Sequence, residues 1–161
     1  MILRCTKKLL SVIGSVPISE PAPDAEDWYA SLLWFDRRKC LLLTHVGTLF
    51  TIFEADVSAS DLRSTGSFIS ALVRRELLSE GLSPDMFGPG SEEVVYAKTA
   101  DRSVLGCMND MAYMCEEAIA ESGSLRHNDR VALNRSLRRN INSTRNYERP
   151  IDLTIGRLKD R

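Results

Sequence analysis

The chain has 161 residues, 43% apolar and 27% charged, with a formal net charge of −1. That is enough for one substantial core, and no run approaches the roughly 20 apolar residues needed to cross a bilayer, which excludes a helical membrane span. Neutrality hides an asymmetry: Arg126 to Arg161 carries ten Lys or Arg against four Asp or Glu, and the preceding 125 residues carry eleven against eighteen.

Ile2 to Thr6 reads as a short strand, with Thr6 capping a helix over Lys7 to Gly14 whose apolar side is Leu9, Leu10 and Ile13. This basic-then-apolar opening is too short and too interrupted for an export signal, so a cytoplasmic protein is expected. Three prolines and four acids mark Pro17 to Asp27 as a surface connection that resists regular pairing. In Trp28 to Phe35, Tyr29, Leu33 and Phe35 alternate with Trp28, Leu32 and Trp34; two apolar faces predict a central strand. The turn Asp36 to Lys39 leads to a strand at Cys40 to Val46, and Gly47 leads to another at Thr48 to Ala55. Such short turns predict an antiparallel meander.

Ser58 and Asp61 have capping-box spacing, and Ile69, Leu72, Val73 and Leu77 give the following helix an apolar face that Gly81 ends. Ser83-Pro84 begins a short turn before the break at Gly88-Pro89-Gly90, and Glu92 to Lys98 forms a further strand. Asp101 or Ser103 caps a long helix with Val104, Met108, Met111, Cys115 and Ala118 along one stripe, stopped by Ser122 and Gly123. Within it, Gly106 marks close packing against a neighbour. A last helix runs from Asn128 or Asp129 to about Asn142, burying Leu133, Leu137 and Ile141 and turning Arg135, Arg138 and Arg139 outward. Tyr147 to Ile155 forms an extended segment or packed tail. Together these elements predict an α+β fold in which a largely antiparallel sheet packs against three or more helices, as a single domain with an acidic body and a basic C-terminal helix and tail over residues 1–161.

Cys5, Cys40, Cys107 and Cys115 lack paired spacing, and only His45 and His127 accompany them, so reduced, buried thiols are expected rather than a zinc cluster or disulfide framework. His45 reads as a partly buried structural histidine, and no metal site or cofactor is implied. Two binding patterns stand out. Arg135, Arg138, Arg139, Arg145 and Arg149, with Tyr147 to stack on a base, suit nucleic acid or an acidic protein, unless they are solvated or paired internally. Lys98, Thr99, Arg102 and Ser103, at a strand-to-helix junction with Asn109 and Asp110 nearby, suit a small anion held on free helix-start amides; capping explains the same residues. The junction lacks the glycine patterns of nucleotide-binding loops.

Met1-Ile2-Leu3-Arg4-Cys5-Thr6-Lys7-Lys8-Leu9-Leu10, Asp27-Trp28-Tyr29-Ala30, Arg38-Lys39-Cys40-Leu41-Leu42, Thr48-Leu49-Phe50 and the segment Thr99 to Asp110 with its Thr-x-x-Arg-Ser-Val-Leu-Gly motif span much of the chain. In these the chain resembles a bacterial family of uncharacterised proteins of about 160 residues. The resemblance implies a single domain, draws attention to Arg4, Lys7, Lys8 and Arg102, and carries no activity, cofactor or partner. The expected function is a non-catalytic binding or accessory module engaging an acidic partner through its basic C-terminal surface. The alternative is an enzyme acting on a small anion near Lys98 to Asp110. Self-association through Trp28, Trp34 and Phe35 stays open.

Overall fold

The computed structural model describes residues 1–90 and 93–157. Its strands are β1 (Ile2–Cys5), β2 (Ile18–Ser19), β3 (Trp28–Phe35), β4 (Arg38–His45), β5 (Thr51–Glu54) and β6 (Val95–Lys98), and its helices are α1 (Lys7–Ile13), α2 (Ala59–Arg63), α3 (Thr65–Ser79), α4 (Arg102–Glu121), α5 (Arg130–Arg139) and α6 (Pro150–Gly156). The strands form one sheet in the order β2-β6-β1-β3-β4-β5.

The meander β3-β4-β5 is antiparallel as its short turns require. The remaining pairings, β1 with β3, β1 with β6 and β2 with β6, are all parallel. The sheet is therefore mostly parallel by pairing, not largely antiparallel. The reason is positional: β1 slots between β3 and β6 instead of extending the meander, and both connections to it pass through helices, as parallel neighbours require.

Alternation along β3 and β4 divides the core in two. Trp28, Ala30, Leu32, Leu41 and Leu43 face a cluster with Leu9, Ile13, Ile69, Leu72 and Leu77 from α1 and α3. Tyr29, Cys40 and Leu42 face Val104, Met108, Met111, Cys115, Leu133 and Leu137 from α4 and α5. Each fully buried Leu, Ile or Phe side chain contributes about 1.5–3 kcal/mol by leaving water, so helices cover both faces of the sheet.

Local differences from the expected elements have local causes. The hairpin tip is only Asp36-Arg37, both at positive φ, the conformation that lets a two-residue turn follow strand twist. Asp36 tolerates it and also accepts a bond from the Leu125 amide (2.6 Å). The Pro17 to Asp27 connection contributes the two-residue β2. The capping box at Ser58 and Asp61 is present, but its helix stops at Ser64 and restarts as α3. The strand expected from Glu92 begins at Val95, and Glu92 lies outside the described residues. Residues 150–156 are helical, opened by Pro150 at the first turn, where a missing N–H costs nothing. A Cβ on Gly106 would meet nothing, so that glycine does not mark tight packing; one on Gly47 would lie 2.9 Å from the Ala25 carbonyl oxygen.

The outer edge of β5 is closed by side chains. Asn134 of α5 accepts from the Phe53 amide (2.6 Å) and donates to the Phe53 carbonyl (3.0 Å), the pair of bonds a neighbouring strand would make. Arg138 adds a bond to the Thr51 carbonyl (3.4 Å).

Candidate functional site

The sequence-predicted anion residues lie where β1 and β6 end side by side. Cys5 pairs with Lys98, so Thr6 and Thr99 leave the sheet together, α1 toward one face and α4 toward the other. The six residues do not converge. Lys98 and Thr99 line a crevice of about 200 Å³ with Arg4, Ser19 and Glu20. Ser103 and Asp110 line a second, about 350 Å³, with Cys107, Asn142 and Thr144. Arg102 and Asn109 are exposed on α4. Nor is the helix start free: the Ala100 and Asp101 amides donate to the Tyr29 hydroxyl (3.1 and 2.8 Å), and the Asp101 carboxylate accepts from the Ser103 amide (2.7 Å). Hydrogen bonds from Ser103 hold the Asp101 carboxyl below its usual range.

The C-terminal arginines are largely engaged inside the chain. Arg138, expected to face outward, is wholly buried. It donates to Glu76 (3.1 Å) and Glu80 (2.9 Å), with its guanidinium over the Phe50 ring. Glu76 also receives Arg130 (2.6 Å) and Arg75 (3.0 Å), Arg75 holds Glu54 (2.5 Å), and Arg139 holds Glu80 (2.5 Å). Burial by itself would raise the Glu76 and Glu80 carboxyls, but bonds and charge from these arginines outweigh it and hold both below the ordinary range. Arg135 and Arg145 donate to the carbonyls of Ser79 (3.1 Å) and Val46 (2.8 Å), and Arg149 pairs with Asp152 (2.6 Å). Tyr147 is 72% exposed, on a turn where both it and Asn146 have positive φ.

A larger cavity, about 500 Å³, was not foreseen. It lies at the amino ends of β1 and β3, lined by Ile2, Trp28, Val73, Phe87, Asp24 and Glu26 among others. Behind its wall His45 is fully buried against Trp28 and Phe87, with ring centroids 5.1 and 4.4 Å away. Its Nδ1 accepts from the Thr48 amide (3.2 Å), so in the neutral ring the proton sits on Nε2. Nε2 has no hydrogen-bond partner and stands 3.9 Å from the Glu26 carboxylate. Burial pushes the imidazole down to about 4. No periodicity links Trp28, His45 and Phe87, which tertiary packing alone assembles; an isolated histidine ending an apolar strand was the one legible signal.

All four cysteines are unpaired and buried. Among the described residues, no three His, Cys, Asp or Glu side chains gather to hold a metal, and no helix is long and apolar enough to cross a membrane.

Fold and crevices together define a mixed α+β domain with candidate ligand seats at opposite ends of its parallel strands. The chain belongs to the family described as a domain of unknown function, DUF6933, which matches residues 2–153. No curated protein and no solved structure matches it.

Proposed function

We propose that the protein is a cytoplasmic, non-catalytic binding module for a phosphate-bearing ligand, seated at the carboxyl ends of β1 and β6. One observation carries this reading: Lys7, Lys8, Lys98 and Arg102 are exposed, and among the described residues their side chains make no ion pair, in contrast to the engaged arginines of α5. Two adjacent parallel strands whose helices depart to opposite faces create the kind of crevice where open sheets receive ligands. Binding rather than turnover is favoured because the two histidines lie elsewhere, His45 beneath Trp28 and Phe87 and His127 beyond α4, leaving no imidazole base at this end.

The test is calorimetry with pyrophosphate and anisotropy with a labelled oligonucleotide, at 50 and 200 mM salt. With two to four phosphate contacts, the oligonucleotide affinity falls roughly tenfold or more across that range. The double variant Lys98→Ala/Arg102→Ala loses binding, while Arg145→Ala/Arg149→Ala keeps it. Absence of binding at low salt, or an unaffected Lys98/Arg102 variant, refutes the reading.

A second reading retains the C-terminal surface as a seat for an acidic protein or nucleic acid. It is favoured by exposed Tyr147, which lies between Arg145 and Arg149 in the sequence, with Arg135 and Arg139 also reaching solvent. The same pair of double variants, with their effects reversed, supports it.

A further inference from the structure

The cavity at the amino ends of β1 and β3 is lined by a different set of residues from the proposed phosphate seat, and its chemistry is of another kind. Its volume of about 500 Å³ falls within the range of small-molecule sites. Trp28 and Phe87 meet edge to face at 5.1 Å, giving it an aromatic wall, with Val73, Pro84 and Pro89 adding apolar surface.

Three of its four charged side chains already have counterions. Asp27 is held by buried Arg4 (2.5 Å), Glu26 by Arg157 (2.6 and 2.7 Å), and Arg74 by Asp85 (2.8 Å). Asp24 is left: it accepts the Glu26 amide (2.8 Å) and, among the described residues, has no cationic partner. Asp24 is therefore the unmatched side chain, a carboxylate near aromatic rings, an arrangement that attracts cations; the Met1 ammonium, which also lines the cavity, donates to the Glu93 carbonyl (3.2 Å). The molecule itself provides a precedent at this wall, since the Arg157 guanidinium lies 5.3 Å above the Phe87 ring while it clasps Glu26.

We propose that this cavity binds a small organic cation with a flat apolar body, of the amidine or arylalkylamine class. The flat body lies against Phe87, Pro84 and Pro89, with buried Trp28 directly behind them, and the positive group faces Asp24.

The probes are benzamidine and its neutral isostere benzamide, followed by NMR at the indole N–H signals. Trp34, 53% exposed at the far hairpin, is the internal control. Benzamidine shifts the Trp28 signal saturably and leaves Trp34 in place, and benzamide binds at least tenfold more weakly. Asp24→Asn, which keeps the acceptor for the Glu26 amide, weakens benzamidine about fivefold and leaves benzamide unchanged. Lys98→Ala/Arg102→Ala leaves benzamidine binding intact, so the outcome is separate from that of the phosphate test. An unmoved Trp28 signal, equal shifts at both indoles, equal affinity for the two probes, or an indifferent Asp24 variant overturns the proposal.

Discussion

Replacing Asn134 with Leu tests the closure of the β5 edge most directly. Asn134 is fully buried and its amide supplies both partners of the Phe53 backbone, itself fully buried. Each such bond contributes about 0.5–1.5 kcal/mol net, and a buried backbone group left without a partner costs about 1–3 kcal/mol. Leu fills similar space and satisfies neither group, so the expected loss is about 3–5 kcal/mol, a large fraction of the 5–15 kcal/mol typical of a domain. At roughly 2 kcal/mol/M the urea midpoint falls by about 2 M, and the Phe53 amide exchanges rapidly in deuterated buffer. Asn134→Asp separates the two bonds. Its carboxylate still accepts from the Phe53 amide but sets a second oxygen against the Phe53 carbonyl, so its deficit relative to wild type narrows as acid restores a donor. A urea midpoint for Asn134→Leu within 0.5 M of wild type would sink the idea that these bonds hold α5 on the sheet edge.

Stability depends on pH in two windows. The His45 imidazole titrates near 4 when folded and near 6.5 when unfolded, so the unfolded chain takes up its proton first. Stability therefore falls by about 3 kcal/mol as pH drops from 6.5 to 4, a slope that His45→Gln removes. Glu76 and Glu80 lie below their ordinary 4.5 in the folded state, so their contribution is complete above that value and is lost as pH falls beneath it. Urea titrations at pH 3 to 7 measure both, and flat stability across that range contradicts both assignments. Burial pushes the thiols of Cys5 and Cys115 up to about 12, so iodoacetamide at pH 8 leaves them unmodified in the folded protein and alkylates them in urea, as peptide mass spectrometry reports. Rapid native labelling of either is the contrary result.

Side-chain periodicity made the meander and helices α1, α3, α4 and α5 legible, because Trp28 to Phe35 and the stripe from Val104 to Cys115 each repeat with the period of their own backbone; it missed α6, and it put Ile141 on the buried side of α5, whereas that residue is exposed beyond the helix end. Periodicity says nothing about which strand lies beside which, so the insertion of β1 between β3 and β6 could not be read from it. Arg138 shows a second boundary. Its spacing put it off the Leu133–Leu137 line and its charge suggested solvent, yet Glu76 of α3 and Glu80 just past the end of that helix, some sixty residues earlier, provide a buried home for it. The strand-to-helix junction at Lys98 to Arg102 was legible, but the hydroxyl of Tyr29 reaches two amides that sequence alone leaves open. Trp28, His45 and Phe87 share a wall only after three separate segments have packed.

The bond from Asn134 to Phe53 spans 81 residues. A ribosome adding 5–20 residues per second needs about 4–16 s to progress from one to the other. Throughout that interval the Phe53 amide and carbonyl have no Asn134 to meet them, so this edge of the sheet closes only once the last fifth of the polypeptide has emerged.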